Sequence, residues 1–142
     1  MRNAERYPFL AGDPTLGEAS FRPYLPFTLI NQKVSISVSA LLDTGASVNV
    51  LPYSIGVELG YHWEQQTTSL SLTGNLAQYE ARVVLAKAVI GQFEPTQLVF
   101  AWTRATHVPL ILGQVNFFME FDVCFYRSQL AFAVSPKDSA AE

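Results

Sequence analysis

The sequence predicts a compact all-β domain with one or two short helices. Apolar and polar residues alternate with a period of two over much of residues 21–135, and turn residues separate the alternating segments. Apolar residues at helical spacing are confined to two short stretches, which limits the predicted helices to one or two turns each. At 142 residues the chain suits one domain with a core of its own.

The predicted elements follow in order along the chain. Residues 1–20 are mixed in composition and carry turn signals, which predicts an N-terminal arm ahead of the domain at 21–135. Helical turns are expected at Ser54–Leu59, ended by Gly60, and at Gln114–Glu120. Residues 136–142 are small and polar, which predicts a flexible C-terminal tail. Strands are predicted at Phe27–Leu29, Val34–Leu42, Val48–Leu51, Thr67–Leu72, Gln78–Ile90, Thr96–Trp102, Val108–Leu112, Val123–Tyr126 and Leu130–Val134.

The composition limits the classes of function. Charged residues are 15% of the chain, below the roughly 25% of an average soluble domain, so we expect a partner chain to cover part of the surface. No apolar run approaches the roughly 20 residues of a membrane-spanning helix. A net charge of −3 with scattered basic residues argues against nucleic-acid binding. Cys124 is the single cysteine and no secretory signal is visible, so we expect a cytoplasmic protein without an intrachain disulfide.

The segment Leu41-Leu42-Asp43-Thr44-Gly45-Ala46-Ser47 carries the chemistry. It places a carboxylate at the end of an apolar strand, where burial raises a carboxyl pKa and hydrogen bonds to the charged form lower it. Gly45 allows a sharp turn, so its N–H can reach the carboxylate of Asp43, and Thr44 adds a hydroxyl. An Asp-Thr-Gly triplet alone is more often an ordinary turn. The whole seven-residue segment should arise by chance in roughly one chain in several hundred.

A second segment, Leu110-Ile111-Leu112-Gly113, leads from an apolar strand into a short amphipathic stretch about seventy residues later. Together the two segments resemble the retropepsins, the retroviral-type aspartic proteases, and their stand-alone bacterial relatives. The runs from Arg22 to Leu29 and from Gly113 to Val123 are also similar to the bacterial relatives. The resemblance covers roughly residues 20–134. It implies a single-lobe, closed β-barrel that is active as a two-fold homodimer.

The resemblance also implies roles for individual residues. Asp43 is the catalytic carboxylate, Thr44 ties the two catalytic loops together at the dimer axis, and Gly45 presents backbone to the substrate. Leu112 and Gly113 support the active site. The family's mobile flap falls on the hairpin around Thr73-Gly74-Asn75, and the retroviral Asp and Arg are replaced by the neutral Ser47 and Gln114. The intersubunit sheet is expected at residues 2–10 and 130–135.

The function predicted from these residues is aspartic peptide hydrolysis. Two Asp43 side chains, one from each chain, would share a proton and activate a water molecule, without metal or cofactor and with best activity at a pH of roughly 4 to 6. Apolar subsite walls imply a peptide or protein substrate cut beside apolar residues and bound in extended form. The predicted substrate-binding residues are Leu41, Ala46, Leu72, Thr73, Gly74, Asn75 and Leu76.

Other readings of the sequence stay open. The same fold could serve as a catalytically silent dimer that binds extended peptide segments, since a fold does not guarantee an activity. The chain could also be a domain of a larger precursor. Asp122 lacks the Thr-Gly context of a second catalytic carboxylate, and His62 and His107 lack companion metal ligands. Cys124 lies in an apolar strand and is better explained as a small buried residue than as a nucleophile.

Overall fold

The computed structural model describes residues 1, 3–72 and 74–138 as an all-β barrel with two short α-helices. The helices are α1 (Tyr53–Glu58) and α2 (Phe117–Glu120). Short 3-10 turns lie at Pro14–Ser20, Trp63–Gln65, Gly74–Leu76 and Arg127–Gln129. The strands are β1 (Glu5–Pro8), β2 (Leu10–Ala11), β3 (Phe21–Arg22), β4 (Tyr24–Asn31), β5 (Val34–Leu42), β6 (Asn49–Pro52), β7 (Ser69–Ser71), β8 (Glu80–Val89), β9 (Thr96–Thr103), β10 (Ile111–Leu112), β11 (Phe121–Tyr126) and β12 (Ala131–Pro136).

Six strands close into the barrel in the order β4-β5-β10-β6-β9-β8. Pairing between Leu29 of β4 and Ala88 of β8 brings the last strand back to the first, and β7 extends β8 outside this ring. The predicted closed barrel is therefore confirmed. Closure leaves these six strands few open edges, which suits a small β domain.

The hairpin β4–β5 follows the predicted alternation. Ile36, Val38, Ala40 and Leu42 all join the main core, while the residues between them face outward. The turn at Gln32-Lys33 is tight, and Gln32 has a φ of 54°. Because strand side chains alternate between faces, this pattern fixes which face of β5 is buried up to the point where the strand ends.

A large apolar core fills the barrel, and its largest fully buried side chains include Phe100, Trp102, Phe117 and Phe132. A second, smaller apolar cluster consists of Val50, Leu72, Ala81 and Ala101. This smaller cluster lies under β7 and the start of β8, so the hairpin formed by these two strands packs on apolar side chains of the barrel wall.

Most predicted elements agree with the structure, and two differ. The strand predicted at Val108–Leu112 is reduced to Ile111–Leu112, because Pro109 has no N–H to give to a sheet ladder. The predicted helix at Gln114–Glu120 begins only at Phe117. Gly60 ends α1 as expected, with a φ of 92° that suits glycine.

The arm and the C-terminal strands form a separate three-stranded sheet in the order β1-β12-β11. Tyr7 of β1 lies opposite Phe132 of β12, and Phe125 of β11 lies opposite the same residue on the other side. Part of the predicted N-terminal arm is thus built into the domain. The last residues of the predicted tail, 139–142, lie outside the described residues. Within the described ranges no helix is long and apolar enough to cross a membrane.

Candidate active site

Asp43 is the first residue after β5, and its backbone is held by the neighbouring strand β10. The Asp43 N–H donates to the carbonyl of Leu112 at 3.0 Å. The carboxylate is half-buried, and its Oδ1 accepts the Gly45 N–H at 3.0 Å. Oδ2 accepts no hydrogen bond from any described residue. The carboxylate therefore has a fixed orientation and one oxygen free for chemistry.

The next two residues, Thr44 and Gly45, are exposed in the single chain. The turn closes where the Ala46 N–H donates to the Asp43 carbonyl at 3.1 Å. Gln114 Nε2 donates to the Thr44 carbonyl at 2.8 Å, so this neutral side chain ties the loop to the chain beyond β10. We call residues 43–48 the catalytic loop. Gln114 holds it by a hydrogen bond between two neutral groups.

Gly113 allows the chain beyond β10 to lie directly against the catalytic loop. A Cβ atom at this position would lie 2.5 Å from the Val48 carbonyl oxygen and 2.7 Å from that of Ala46. Both neighbours are backbone atoms, which cannot move aside as a flexible side chain could. The close approach permits Gln114 N–H to donate to Ala46 O at 2.9 Å and Val115 N–H to donate to Ser47 O at 3.0 Å.

Two asparagines, the buried Asn49 and the partly buried Asn116, complete the support of the loop. Asn49 is fully buried, and its Oδ1 accepts the Gly113 N–H at 2.9 Å. Its Nδ2 donates to the carbonyl of Val99 and to Oδ1 of Asn116, at 2.9 and 3.0 Å. Neither asparagine is among the site residues predicted from the sequence. The available signal was Asn49 itself, a polar residue inside a predicted apolar strand, where a buried amide needs partners.

A cleft of about 260 Å³ opens beside Asp43. Backbone and small side chains of the catalytic loop form one side of it, and aliphatic side chains form the rest. Its lining residues are Asp43, Gly45, Ala46, Ser47, Val48, Val50, Leu72, Gly74, Leu76 and Ile111. An apolar cleft with one carboxylate at its edge is suited to holding an apolar side chain next to a bond that the carboxylate could act on.

A hairpin covers this cleft, and we call residues 69–82 the covering hairpin. It consists of β7, the 3-10 turn Gly74–Leu76 and the start of β8, with Leu70 opposite Ala81. Leu72 is buried and lines the cleft, as do Gly74 and Leu76. The hairpin thus lies where the predicted flap was expected.

The base of the covering hairpin is held by the segment that follows α1. Arg82 Nη1 donates to the Trp63 carbonyl at 2.6 Å, and its guanidinium lies 4.6 Å from the centre of the Trp63 ring. The Tyr61 hydroxyl donates to the carbonyl of Leu85. Burial raises the pKa of Tyr61 from 10.0 to about 12, because the charged phenolate is disfavoured away from water.

The structure brings most of the predicted site residues together. Ala46, Leu72, Gly74 and Leu76 line the cleft with Asp43 and Gly45, while Leu112 and Gly113 lie against the catalytic loop. Leu41 does not line this cleft, and its partner on β10, Ile111, does so instead.

Two predicted substrate-binding residues are described only in part or not at all. Thr73 lies outside the described residues, and Asn75 is described only through its backbone in the 3-10 turn. Substrate contact by any of these residues stays a prediction.

Asp122 and Cys124, which the sequence offered as weaker candidates, do not line this cleft. Asp122 lies within β11 opposite Ser135, and Cys124 lies two residues further along the same strand. Among the described residues there is no group of three His, Cys, Asp or Glu side chains that could hold a metal ion.

Comparison with known proteins agrees with this geometry. The family model described as "Aspartyl protease" matches residues 28–115, which is more than half of the chain and includes both the catalytic loop and β10. No curated protein sequence matches the chain at a significant level.

Two solved structures are similar to this chain, and the first of them shows the fold. A retropepsin-like aspartic protease from Rickettsia conorii is 12% identical, with a TM-score of 0.64 over 96% of this chain and 95% of that chain. The EIAV protease in complex with the inhibitor HBY-793 is 20% identical, with a TM-score of 0.48 over 66% of this chain and 82% of that one. The first match extends the shared single-lobe fold over nearly the whole molecule. The chain belongs to the aspartyl protease family and is an aspartic-type peptidase with a retropepsin-like fold.

Proposed function

We propose that the protein is an aspartic endopeptidase whose active site is shared by two copies of the chain. The observation that carries this proposal is the geometry of Asp43, which presents one oriented carboxylate at an exposed loop. The chemistry needs two carboxylates that share a proton. Since the Asp-Thr-Gly sequence occurs once, Asp43 of a second copy supplies the other.

The proposed reaction follows from two carboxylates held close together. One proton lies between them, because two adjacent negative charges cannot both form cheaply, and the pair titrates as a unit. The ionised carboxylate removes a proton from water, and the water oxygen bonds to the scissile carbonyl carbon. The protonated carboxyl gives its proton to the carbonyl oxygen. When the C–N bond breaks, the leaving nitrogen takes up a proton from the dyad.

The cleft supports a preference for apolar side chains next to the cut. Val48, Val50, Leu72, Leu76 and Ile111 offer aliphatic walls, and among the described residues Asp43 is the one charged side chain that lines this cleft. The covering hairpin lies over the same space, where it can pair with an extended peptide by backbone hydrogen bonds. We therefore propose substrates with aliphatic or aromatic residues flanking the scissile bond.

We also propose that the protein acts in a reducing cytoplasm.

Cleavage of a mixed peptide library between pH 3 and 8 tests the proposed function. The wild type should cut beside apolar residues, best at a pH of roughly 4 to 6. Asp43→Asn keeps the shape of the side chain but cannot share or accept the proton, so cleavage should fall by at least about 10³-fold. Asp13→Asn is the matched control, because Asp13 caps an exposed turn at Thr15 and does not line the cleft.

The alternative is a silent dimer that binds extended peptides. Wild-type protein that binds library peptides but cuts none at any pH would support that alternative and contradict the proposed function. Cleavage that survives in Asp43→Asn would place the chemistry at a different residue.

A further inference from the structure

We propose that Leu76 is an autoinhibitory residue. In the free protein its side chain covers apolar wall that a substrate side chain needs, so a substrate binds only after Leu76 has moved away. The inference rests on one part of the proposed function, the binding of an apolar substrate side chain in the cleft beside Asp43. What it adds is that Leu76 of the free protein competes with the substrate instead of only forming a wall around it.

Leu76 packs on the apolar cluster that forms part of the cleft wall. Leu76 and Ile111 both pack against the smaller apolar cluster, of which Val50 is a buried member. Val50 and Ile111 also line the cleft beside Asp43. An apolar substrate side chain gains free energy by removing such surface from water. Leu76 and the substrate side chain therefore compete for one apolar surface.

Leu76 is held less firmly than Leu72, the other leucine of the covering hairpin that lines the cleft. Leu72 is a buried member of the smaller apolar cluster and is only 6% exposed. Leu76 is partly buried and packs against that cluster from its outside. Because the free energy of burial grows with the apolar area removed from water, a partly buried leucine leaves at lower cost. Leu72 anchors the hairpin, and Leu76 is free to withdraw.

The tip of the covering hairpin, residues 74–79, lies beyond the paired strands. The last paired residues of the hairpin are Ser71 and Glu80, so the tip has no partner strand among the described residues. Two backbone hydrogen bonds within the tip close it into a turn, from Ala77 N–H to Gly74 O at 3.2 Å and from Tyr79 N–H to Leu76 O at 3.0 Å. Since both bonds lie inside the tip, the tip can move as a unit without breaking them.

A groove beside the tip gives it room to move. The groove has a volume of about 320 Å³ and is lined entirely by residues 69–71 and 77–80 of the covering hairpin. It shares no lining residue with the cleft beside Asp43. Because the hairpin alone lines this groove, the tip can shift towards it while the barrel walls stay in place. Such a shift takes Leu76 out of the cleft.

The strength of the competition depends on the fraction of chains in which the cleft is open. A ligand that binds only the open form has its apparent affinity reduced by that fraction. If Leu76 covers the cleft wall in about four chains of five, the apparent Kd is about five times that of an open cleft. Removing the Leu76 side chain should therefore tighten binding, whereas removing an ordinary wall residue should weaken it.

Calorimetric titration with an uncleavable peptide tests the direction of this effect. The probe is a hexapeptide with leucine on both sides of its central bond, where a CH₂–NH group replaces the scissile amide. Leu76→Ala should bind it with a Kd about five-fold lower than that of the wild type. Leu85→Ala is the matched control, because Leu85 on β8 is 48% exposed and does not line the cleft, and its Kd should equal the wild-type value. An unchanged or higher Kd for Leu76→Ala would make Leu76 an ordinary wall residue and overturn the inference.

Nuclear Overhauser effects on the wild type give a second measurement, which does not depend on any variant. The Leu76 methyl groups should lie close to methyl groups of the smaller apolar cluster in the free protein and lose this proximity when the peptide is bound. Contacts that persist in the complex would also overturn the inference. The peptide is bound and never cut, so neither measurement depends on catalysis. Both expected results from a protein that cleaves no library peptide would contradict the proposed endopeptidase activity and leave this inference standing.

Discussion

The two sides of the cleft are built in different ways. The catalytic loop is held by polar contacts to fixed backbone, among them Asp43 N–H to Leu112 O and Gly113 N–H to the Asn49 side chain. The covering hairpin has three paired positions between β7 and β8. It joins the barrel through buried Leu72, the Arg82 side chain and the pairing of its last residues, Ala81 and Arg82, with β9. Directional hydrogen bonds in a buried setting fix a geometry, whereas a short strand pair opens at low free-energy cost.

This difference matches the tasks that the proposed function gives to the two sides. A carboxylate that shares a proton must be held in one place, and a cover that admits a peptide must be able to move. Changes to the catalytic-loop side should therefore cost stability and catalysis together. Changes to the covering hairpin should mainly alter substrate binding. The predictions below separate these two kinds of effect.

The largest loss of stability is expected for Asn49→Ala. The change leaves the buried Gly113 N–H without an acceptor, removes the donor to the Val99 carbonyl and creates a small cavity. These losses together should lower the free energy of unfolding by about 4 kcal/mol, as measured by urea denaturation. Asn31→Ala is the control, because its side chain makes one half-buried hydrogen bond to Leu59 O, and it should cost about 1 kcal/mol. Equal losses would contradict the special role of Asn49.

A glycine-to-alanine substitution on each side of the cleft should give the next largest difference in stability and cleavage. Gly113→Ala drives a Cβ into two backbone carbonyls, so it should cost about 3 kcal/mol and abolish most cleavage by displacing the catalytic loop. A Cβ at Gly74 would meet no atom within 4 Å. Gly74→Ala should therefore lower the free energy of unfolding by only about 1 kcal/mol, because an L residue is strained at a φ of 63°. Urea unfolding and peptide cleavage of both variants measure the contrast. A Gly113→Ala protein with wild-type activity would show that the loop tolerates movement.

Loosening the base of the covering hairpin should raise KM with little change in kcat. Arg82→Gln loses both the hydrogen bond to the Trp63 carbonyl and the contact with the Trp63 ring, so KM should rise roughly five-fold. Arg104→Gln is the matched control. Arg104 lies 4.4 Å from the centre of the same ring but does not belong to the hairpin, so KM should stay near wild type. A fall in kcat without a change in KM would assign Arg82 to the chemistry instead.

The smallest effect concerns Tyr61 and alkaline pH. Because the pKa of Tyr61 is raised to about 12 in the fold from 10.0, the neutral phenol stabilises the fold fully below pH 10. That contribution is lost as pH rises from 10 towards 12. Tyr61→Phe should therefore flatten the decline of stability over this range, as measured by urea unfolding at pH 9, 10 and 11. An unchanged pH dependence would show that Tyr61 does not titrate with unfolding.

Sequence patterns predicted the features of this molecule that depend on residues close together in the chain, such as strand alternation and turns. The alternation along Val34–Leu42 predicted the buried face of β5, and the Asp43-Thr44-Gly45 turn predicted the hydrogen bond from the Gly45 N–H to the Asp43 carboxylate. The pairing of β1 with β12 joins segments more than 120 residues apart, and no local pattern reports such a pairing. The roles of Asn49 and Asn116 also depend on partners that only the fold brings together. Alternation shows which face is buried, but not what the buried side chains contact.

The central claim is that one active site needs Asp43 from two chains. Mixing wild-type protein with a growing excess of Asp43→Asn, after time for subunit exchange, tests it directly. If sites are shared, activity per wild-type chain should fall in proportion to the wild-type fraction, to about one-tenth at a nine-fold excess. Activity per wild-type chain that stays constant at every ratio would show that each chain carries a complete site, and would contradict the account.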